Sequence, residues 1–139
     1  MHSLFTLLIL SSLIVPITHA CRITSQWDIF VMSNITDNIV VHIKSGDDDL
    51  GNHTIPFNGN YQWSFCDNYF GRTLFYGYFW WGSKYQSLAL FDDEIRGPCY
   101  RSKGGTQHCY WLVRPDGFFV SGYNRTFSDT NWTFKKHWV

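Results

Sequence analysis

Charge is scarce in this chain. Asp, Glu, Lys and Arg supply 16% of its 139 residues, and 11 acidic side chains cancel 11 basic ones. A nucleic-acid or anionic-membrane binder normally carries a basic excess, so the balance argues against both classes. Long apolar runs are scarce too. The longest, Leu4 to Ile17, is broken by Thr6, Ser11, Ser12 and Pro16. At about 14 residues it is too short to cross roughly 30 Å of hydrocarbon. No window carries an apolar stripe at helical spacing. Gly-x-Ser-x-Gly, His-Glu-x-x-His, Cys-x-x-Cys and Gly-x-Gly-x-x-Gly are all missing, which removes the commonest hydrolase, zinc and dinucleotide signatures.

Aromatic residues, by contrast, are abundant: 7 Trp, 8 Tyr and 12 Phe make up 19% of the chain. Disorder needs the opposite composition, and aromatic richness with little charge suits a β-rich domain. The amino-terminal run ends in Thr18-His19-Ala20, a small-x-small pattern that suits signal peptidase, so Met1 to Ala20 is expected to be a signal peptide. A lipoprotein signal acylated at Cys21 would instead want an aliphatic residue where Thr18 stands. Removing 20 residues leaves 119, one domain with enough chain for a real core. All four cysteines, Cys21, Cys66, Cys99 and Cys109, stay in this portion. In an oxidising compartment an even count implies two disulfides, in one of three connectivities. Four Asn-x-Thr sequons, at Asn34, Asn52, Asn124 and Asn131, fit a eukaryotic secretory product, and each modified Asn must face solvent. Asn131 is the least suitable, because Trp132 is expected to belong to a strand.

Apolar residues recur with a period of two, or run continuously over short stretches. Strands are expected at Trp27–Ser33, Asn38–Lys44, Tyr61–Cys66, Thr73–Trp81, Tyr85–Phe91, His108–Arg114, Gly117–Tyr123 and Asn131–His137. Turn chemistry separates them, most clearly at Arg114-Pro115-Asp116-Gly117, where Pro pre-sets φ and Gly accepts a positive one. Eight short strands at this spacing read as an all-β sandwich. Thr73–Trp81 has no charge and no alternation, so it reads as a central strand covered on both faces. Gly77 is odd there and points to a bulge or the close approach of another element.

Candidate chemistry is thin. His42 and His53 could serve as an acid–base pair, but a His on a strand is more often a packing residue. Asp47-Asp48-Asp49 could meet Ca²⁺ with hard oxygens, yet it lacks a spaced ligand ladder and reads better as a solvated turn. The same discount applies to Asp92-Asp93-Glu94. His108 beside Cys109 suits zinc only if Cys109 is a free thiolate. Exposed aromatic rings could stack on sugars, with Trp80-Trp81 the pair to watch because neighbouring strand residues face opposite ways.

The stretch Val40-Val41-His42-Ile43-Lys44-Ser45-Gly46-Asp47-Asp48-Asp49-Leu50-Gly51 resembles the signature of the plant self-incompatibility protein family, the S-protein homologues, which typically reads Val-His-Cys-Lys-Ser-Lys-Asp-Asp-Asp-Leu-Gly. Further matches follow in order: Tyr61–Phe65, Thr73–Trp80 and Cys99 with Cys109–Phe118. The resemblance implies a small secreted β-sandwich. Founding members of that family act as stigma-side ligands that trigger rejection of self pollen through a pollen membrane receptor. It also implies a bond between Cys99 and Cys109, which would leave Cys21 and Cys66 for each other. In the loop-entropy picture, rings of about 11 and about 46 residues would contribute roughly 3 and 4 kcal/mol. Where the family has cysteines, this chain has Ile43 and Gly77. Joint loss of two cysteines is what a lost disulfide looks like, so one staple is read as exchanged for another.

The resulting expectation is a secreted, monomeric, disulfide-stapled β-sandwich over residues 21–139. It has no enzyme activity, cofactor, metal, nucleic-acid partner or membrane insertion, and it acts as a ligand for a membrane receptor protein on a target cell. The rival reading is a cell-wall carbohydrate-binding module. Recognition is expected on the loop from Asp92 to Gln107, whose Asp92, Asp93, Glu94, Arg96, Arg101 and Lys103 are acidic first and basic after. The secreted product should start at Cys21 and carry glycan at Asn34, Asn52 or Asn124. Intact mass before and after glycosidase treatment checks this, and an unchanged mass would remove the sequon argument.

Overall fold

Alternating apolar side chains fold this chain as two facing sheets. The computed structural model describes residues 21–68, 73–99, 105–128 and 130–139. The expected signal peptide, Arg101 and Lys103 lie outside them. Among the described residues nine strands follow in order: β1 (Gln26–Ser33), β2 (Ile39–Lys44), β3 (Asp49–Ile55), β4 (Asn60–Cys66), β5 (Phe75–Trp81), β6 (Lys84–Phe91), β7 (Gln107–Arg114), β8 (Gly117–Ser121) and β9 (Thr133–Lys136). One sheet has the order β4-β1-β7-β8-β9 and the other β3-β2-β5-β6. Neighbours pair antiparallel except β1 and β7, which run parallel with Ile29 opposite Cys109 and Val31 opposite Trp111.

Burial along β1, β2 and β7 alternates strictly, so one face of each sheet is core. Ile29, Val31, Trp111, Val113, Phe118 and Val120 meet Ile39, Val41, Ile43, Phe79, Leu90 and Phe91, all fully buried. Trp111 spans the gap. Its indole N–H donates to the Leu90 carbonyl of the opposite sheet at 2.9 Å. The acceptor is a backbone carbonyl on edge strand β6, whereas the buried indole N–H groups of Trp27, Trp63 and Trp132 have no partner among the described residues.

Three sequence expectations are corrected. The strand absent from the reading is β3, whose Asp49, Gly51 and Asn52 are poor strand formers. It exists because β2 templates it as an edge, with a bulge at Ile43/Lys44 opposite Gly51, whose φ is +79°. The strand covered on both faces is β8, not β5: all five of its residues are buried, and Phe119 meets the rings of Phe127 and Phe134. On β5 only Phe75, Gly77 and Phe79 are buried, while Tyr76, Tyr78 and Trp80 form an outer row. Finally, β9 begins after Trp132. Trp132 is buried, whereas Phe134 is 44% exposed with its ring against Phe119 of β8.

Gly77 is a site of close approach. A Cβ there would lie 2.6 Å from Leu90 Cδ1 and 2.8 Å from a Phe79 ring carbon, both fully buried. It pairs directly with Ile43 across β2 and β5. Ile43 and Gly77, which stand where the resemblance implies family cysteines, are therefore cross-strand neighbours. Gly117 follows the expected Pro115-Asp116 turn at φ +141°, and any side chain there would run into the Lys136 carbonyl.

Replacing Trp111 with Phe keeps a ring in the core but strands the Leu90 carbonyl and leaves a void. The variant should lose about 2–4 kcal/mol with an unchanged m-value in urea unfolding. A loss under about 0.5 kcal/mol would show that the cross-sheet hydrogen bond contributes little.

Candidate functional site

Both disulfides lie at one end of the sandwich. Cys21–Cys66 fastens the segment ahead of β1 to the end of β4, with a Cα separation of 5.4 Å. Cys99–Cys109 ties the segment after β6 into β7, with Cα atoms 4.9 Å apart. Register places these elements together, since Gln26 pairs with Cys66 and Trp27 with Gln107. Across the sandwich, the Ser45–Asp48 turn, Cys66, Asn68 and Thr73–Phe75 line an open cavity of about 370 Å³.

An ion pair locks this end. The Arg96 guanidinium grips the Asp67 carboxylate with both terminal nitrogens, one of them at 2.9 Å, and the Thr73 hydroxyl donates to the same carboxylate at 2.9 Å. Only 9% of the Asp67 side chain and 17% of the Arg96 side chain are exposed. The guanidinium also lies 4.9 Å from the Phe91 ring centre. A bidentate guanidinium–carboxylate pair is planar and directional, so it fixes the first turn after β6 against the end of β4.

The charges read from sequence as one recognition loop therefore divide. Arg96 is engaged inward. Asp92 accepts the Ile95 N–H at 2.8 Å and shapes the turn. Glu94 pairs with Lys135 at 3.2 Å, and Asp93 reaches Arg96 at 3.3 Å from an exposed position. Arg101 and Lys103 lie outside the described residues. Beside this loop the Ser45–Asp48 turn is held by its own bonds: the Ser45 N–H donates to the Asp48 carbonyl at 2.7 Å, and the Asp48 N–H to Ser45 Oγ at 3.0 Å. The Asp47 and Asp48 carboxylates enter no ion pair among the described residues.

The remaining candidates separate. His42 lies on the outer face of β2 and donates to Asp49 Oδ1 at 2.6 Å. That hydrogen bond, and after it the Gly51 N–H at 2.9 Å, holds the Asp49 carboxyl below the usual carboxylate range. His53 pairs with Val41 on the inner face of β3, stacks on Tyr61 of the other sheet at 3.8 Å and donates to the Leu50 carbonyl. The two histidines thus face opposite sides of one sheet and form no acid–base pair. Cys109 is in a disulfide, so its thiolate is not free to join His108 on zinc. His108 lies 3.9 Å from Asp28, beside stacked Phe30 and Tyr110. Burial, and after it the Asp28 charge, pushes the Tyr110 phenol up. Among the described residues no three His, Cys, Asp or Glu side chains come together to hold a metal.

Trp80 is 39% exposed, whereas Trp81 turns against Trp138 with its indole N–H on Asp37. Sequence reasoning missed the outer row on β5, because aromatic residues also occupy the inward positions Phe75 and Phe79 and leave no alternation to read. Of the sequons, Asn52, Asn124 and Asn131 are exposed, while Asn34 is half-buried with its Oδ1 enclosed. Arg96→Ala, which leaves Asp67 buried without its cation, should cost about 3 kcal/mol in denaturant unfolding. An effect of an ordinary surface substitution, within about 0.5 kcal/mol, would make the pair incidental.

A family model described as "Plant self-incompatibility protein S1" matches residues 29–138. S-protein homolog 5 of Arabidopsis thaliana is 35% identical over 79 residues, covering 57% of each chain. S-protein homolog 2 of Arabidopsis thaliana is 33% identical over 84 residues, covering 57% of this chain and 48% of its own. The chain thus spans about half the length of these two relatives. Among solved structures, a Self-Incompatibility Protein Homologue, one of a family described as small, highly stable and secreted from plants, superposes with a TM-score of 0.57. It covers 79% of this chain and 96% of its own at 15% identity, which establishes a shared fold. With the family match running from β1 to within one residue of the carboxyl terminus, the chain belongs to the plant self-incompatibility protein S1 family.

Proposed function

We propose that this protein is a secreted ligand that binds a cell-surface receptor protein through the loops at the disulfide end of its sandwich. The observation that carries this reading is the concentration of fastening there. Two disulfides and a nearly buried Arg96–Asp67 pair hold the irregular segments of this one end. Holding loops in one arrangement before contact reduces the entropy lost on binding. The charges left outward, Asp47, Asp48 and the 77%-exposed Asp93, give this end an acidic rim that can steer a basic partner surface. Arg101 and Lys103 add the opposite sign within the same connection. The secreted character of the family, the Met1–Ala20 pattern and the paired cysteines support an extracellular site of action. Recognition without catalysis is the role that suits separated histidines and disulfide-bound cysteines.

The carbohydrate-binding reading would use the outer row on β5. Its rings are inclined, 53° between Tyr76 and Tyr78 and 52° between Trp80 and Tyr85, rather than coplanar as a flat polysaccharide platform requires.

Labelled protein should bind target-cell plasma membranes saturably, and protease treatment of the membranes should abolish binding. Reversing Arg101 and Lys103 to Glu, or Asp47 and Asp48 to Lys, should weaken binding several-fold while stability stays within about 0.5 kcal/mol. Full binding by both folded double variants would move the contact surface elsewhere. Competition by soluble cell-wall glycans would favour the rival.

A further inference from the structure

The outer face of the β3-β2-β5-β6 sheet carries more exposed aromatic surface than the fold uses. Trp80 is 39% and Tyr85 38% exposed, their rings 5.7 Å apart; Tyr78, on the same face, is half-buried among Tyr76, His42 and Lys44, whose ammonium lies 5.4 Å from its ring centre. Contiguous exposed apolar surface generally marks something that covers it. The register aligns this surface with a sequon. Asn52 lies opposite His42, His42 opposite Tyr78, and Tyr78 opposite Ser87. The adjacent row runs Thr54, Val40, Trp80, Tyr85. Asn52 and Thr54, the first and third residues of one sequon, thus head the two rows that hold the aromatic rings, and both are exposed.

We infer that an N-linked glycan on Asn52 folds back over this face and packs its inner N-acetylhexosamine units on Tyr78, Trp80 and Tyr85. This inference rests on the secretory reading above. At a strand spacing of about 4.8 Å, Tyr78 lies two strands, about 10 Å, from Asn52, within reach of the first two sugars, and Tyr85 lies three strands, about 14 Å, across and one row along, within reach of the sugars that follow. The Asn52 side chain stands on the outer face, so the first sugar starts above the sheet rather than beyond its edge. The inclined Trp80 and Tyr85 rings form a notch suited to one chair-shaped pyranose rather than to a flat sheet of chains. A pyranose has one face lined by C–H groups, whose partial positive charge meets the negative face of the ring. The other sequons differ in this respect: Asn34 is half-buried with its Oδ1 enclosed, and Asn124 and Asn131 lie outside this sheet.

The test uses the full chain secreted from plant cells as five proteins: native, Thr54→Ala, Asn52→Gln, Tyr78→Ser/Trp80→Ser, and Thr54→Ala combined with the two aromatic substitutions. Glycopeptide mass spectrometry should find Asn52 occupied in the native and aromatic-variant proteins. Thr54→Ala should lower Tm by several degrees in the native background and by less than about 1 °C when Tyr78 and Trp80 are gone, a coupling expected only of groups in contact. Asn52→Gln should repeat the native-background shift. Nuclear Overhauser contacts between sugar ring protons and Trp80 should appear in the native glycoprotein. An unoccupied Asn52 beside an occupied Asn124 overturns the inference while leaving secretion intact, whereas no occupancy at any sequon counts against both. Equal Tm shifts in the two backgrounds overturn it. So does binding of a soluble glucan, or self-association, on this face of the fully glycosylated protein, since either needs the rings free.

Discussion

Trp111 is the side chain on which the two layers depend. It sits mid-way along β7, a strand flanked by β1 and β8 in the five-stranded sheet. Its indole crosses the core and hydrogen-bonds the backbone of β6 in the other sheet. Hydrophobic contact alone is non-directional and lets two sheets slide; the Trp111 hydrogen bond adds a directional tie through the core, alongside the paired backbones of Tyr85 and Val139 at the edge. The inward face of the same strand carries Cys109 and Val113. One strand therefore sets the spacing of the layers, fills the middle of the core and anchors a disulfide at its loop end.

The fastening of the fold has moved within this chain relative to the family pattern its sequence resembles. Ile43 and Gly77 stand opposite each other in adjacent strands, and Leu90 fills the space over Gly77. That arrangement packs where a covalent link would otherwise lie, in the middle of the four-stranded sheet. Cys21–Cys66 instead fastens the beginning of the described chain to β4, an edge of the five-stranded sheet. Asp67 follows Cys66 directly, so the bond also steadies the carboxylate that Arg96 grips. Covalent restraint is thereby concentrated near irregular segments rather than in the interior of a sheet, whose hydrogen-bonded ladders already hold it.

Two surfaces emerge with different chemistry. The disulfide end is polar, held rigid and partly acidic. The outer face of β5 is aromatic and begins beside the same turn, since Ser45, Gly46 and Leu74 border the cavities on both. Charged loops serve steering and orientation, whereas exposed rings need a cover with C–H groups or another apolar surface. The opposite face of the molecule differs again: Phe119 on β8 is closed over by Phe127 and Phe134.

The sequence alone determined the all-β class, the strand sites other than β3, the hairpin at Pro115–Gly117 and the four cysteines. Strand periodicity and turn chemistry are local properties, so neighbouring residues suffice to read them. The disulfide pairing came from family resemblance, not from spacing. Tertiary structure decided the rest. An acidic, glycine-containing segment became β3 only because β2 offered it a ladder. The β5 run was equally apolar on both faces, and only the second sheet could choose which face to bury. Arg96 looked like a free loop charge because its partner Asp67 is 29 residues away in sequence. His42 and His53 looked like a pair until register put them on opposite faces. In each case the deciding partner is distant along the chain and adjacent in space, and a one-dimensional pattern carries no information about that adjacency.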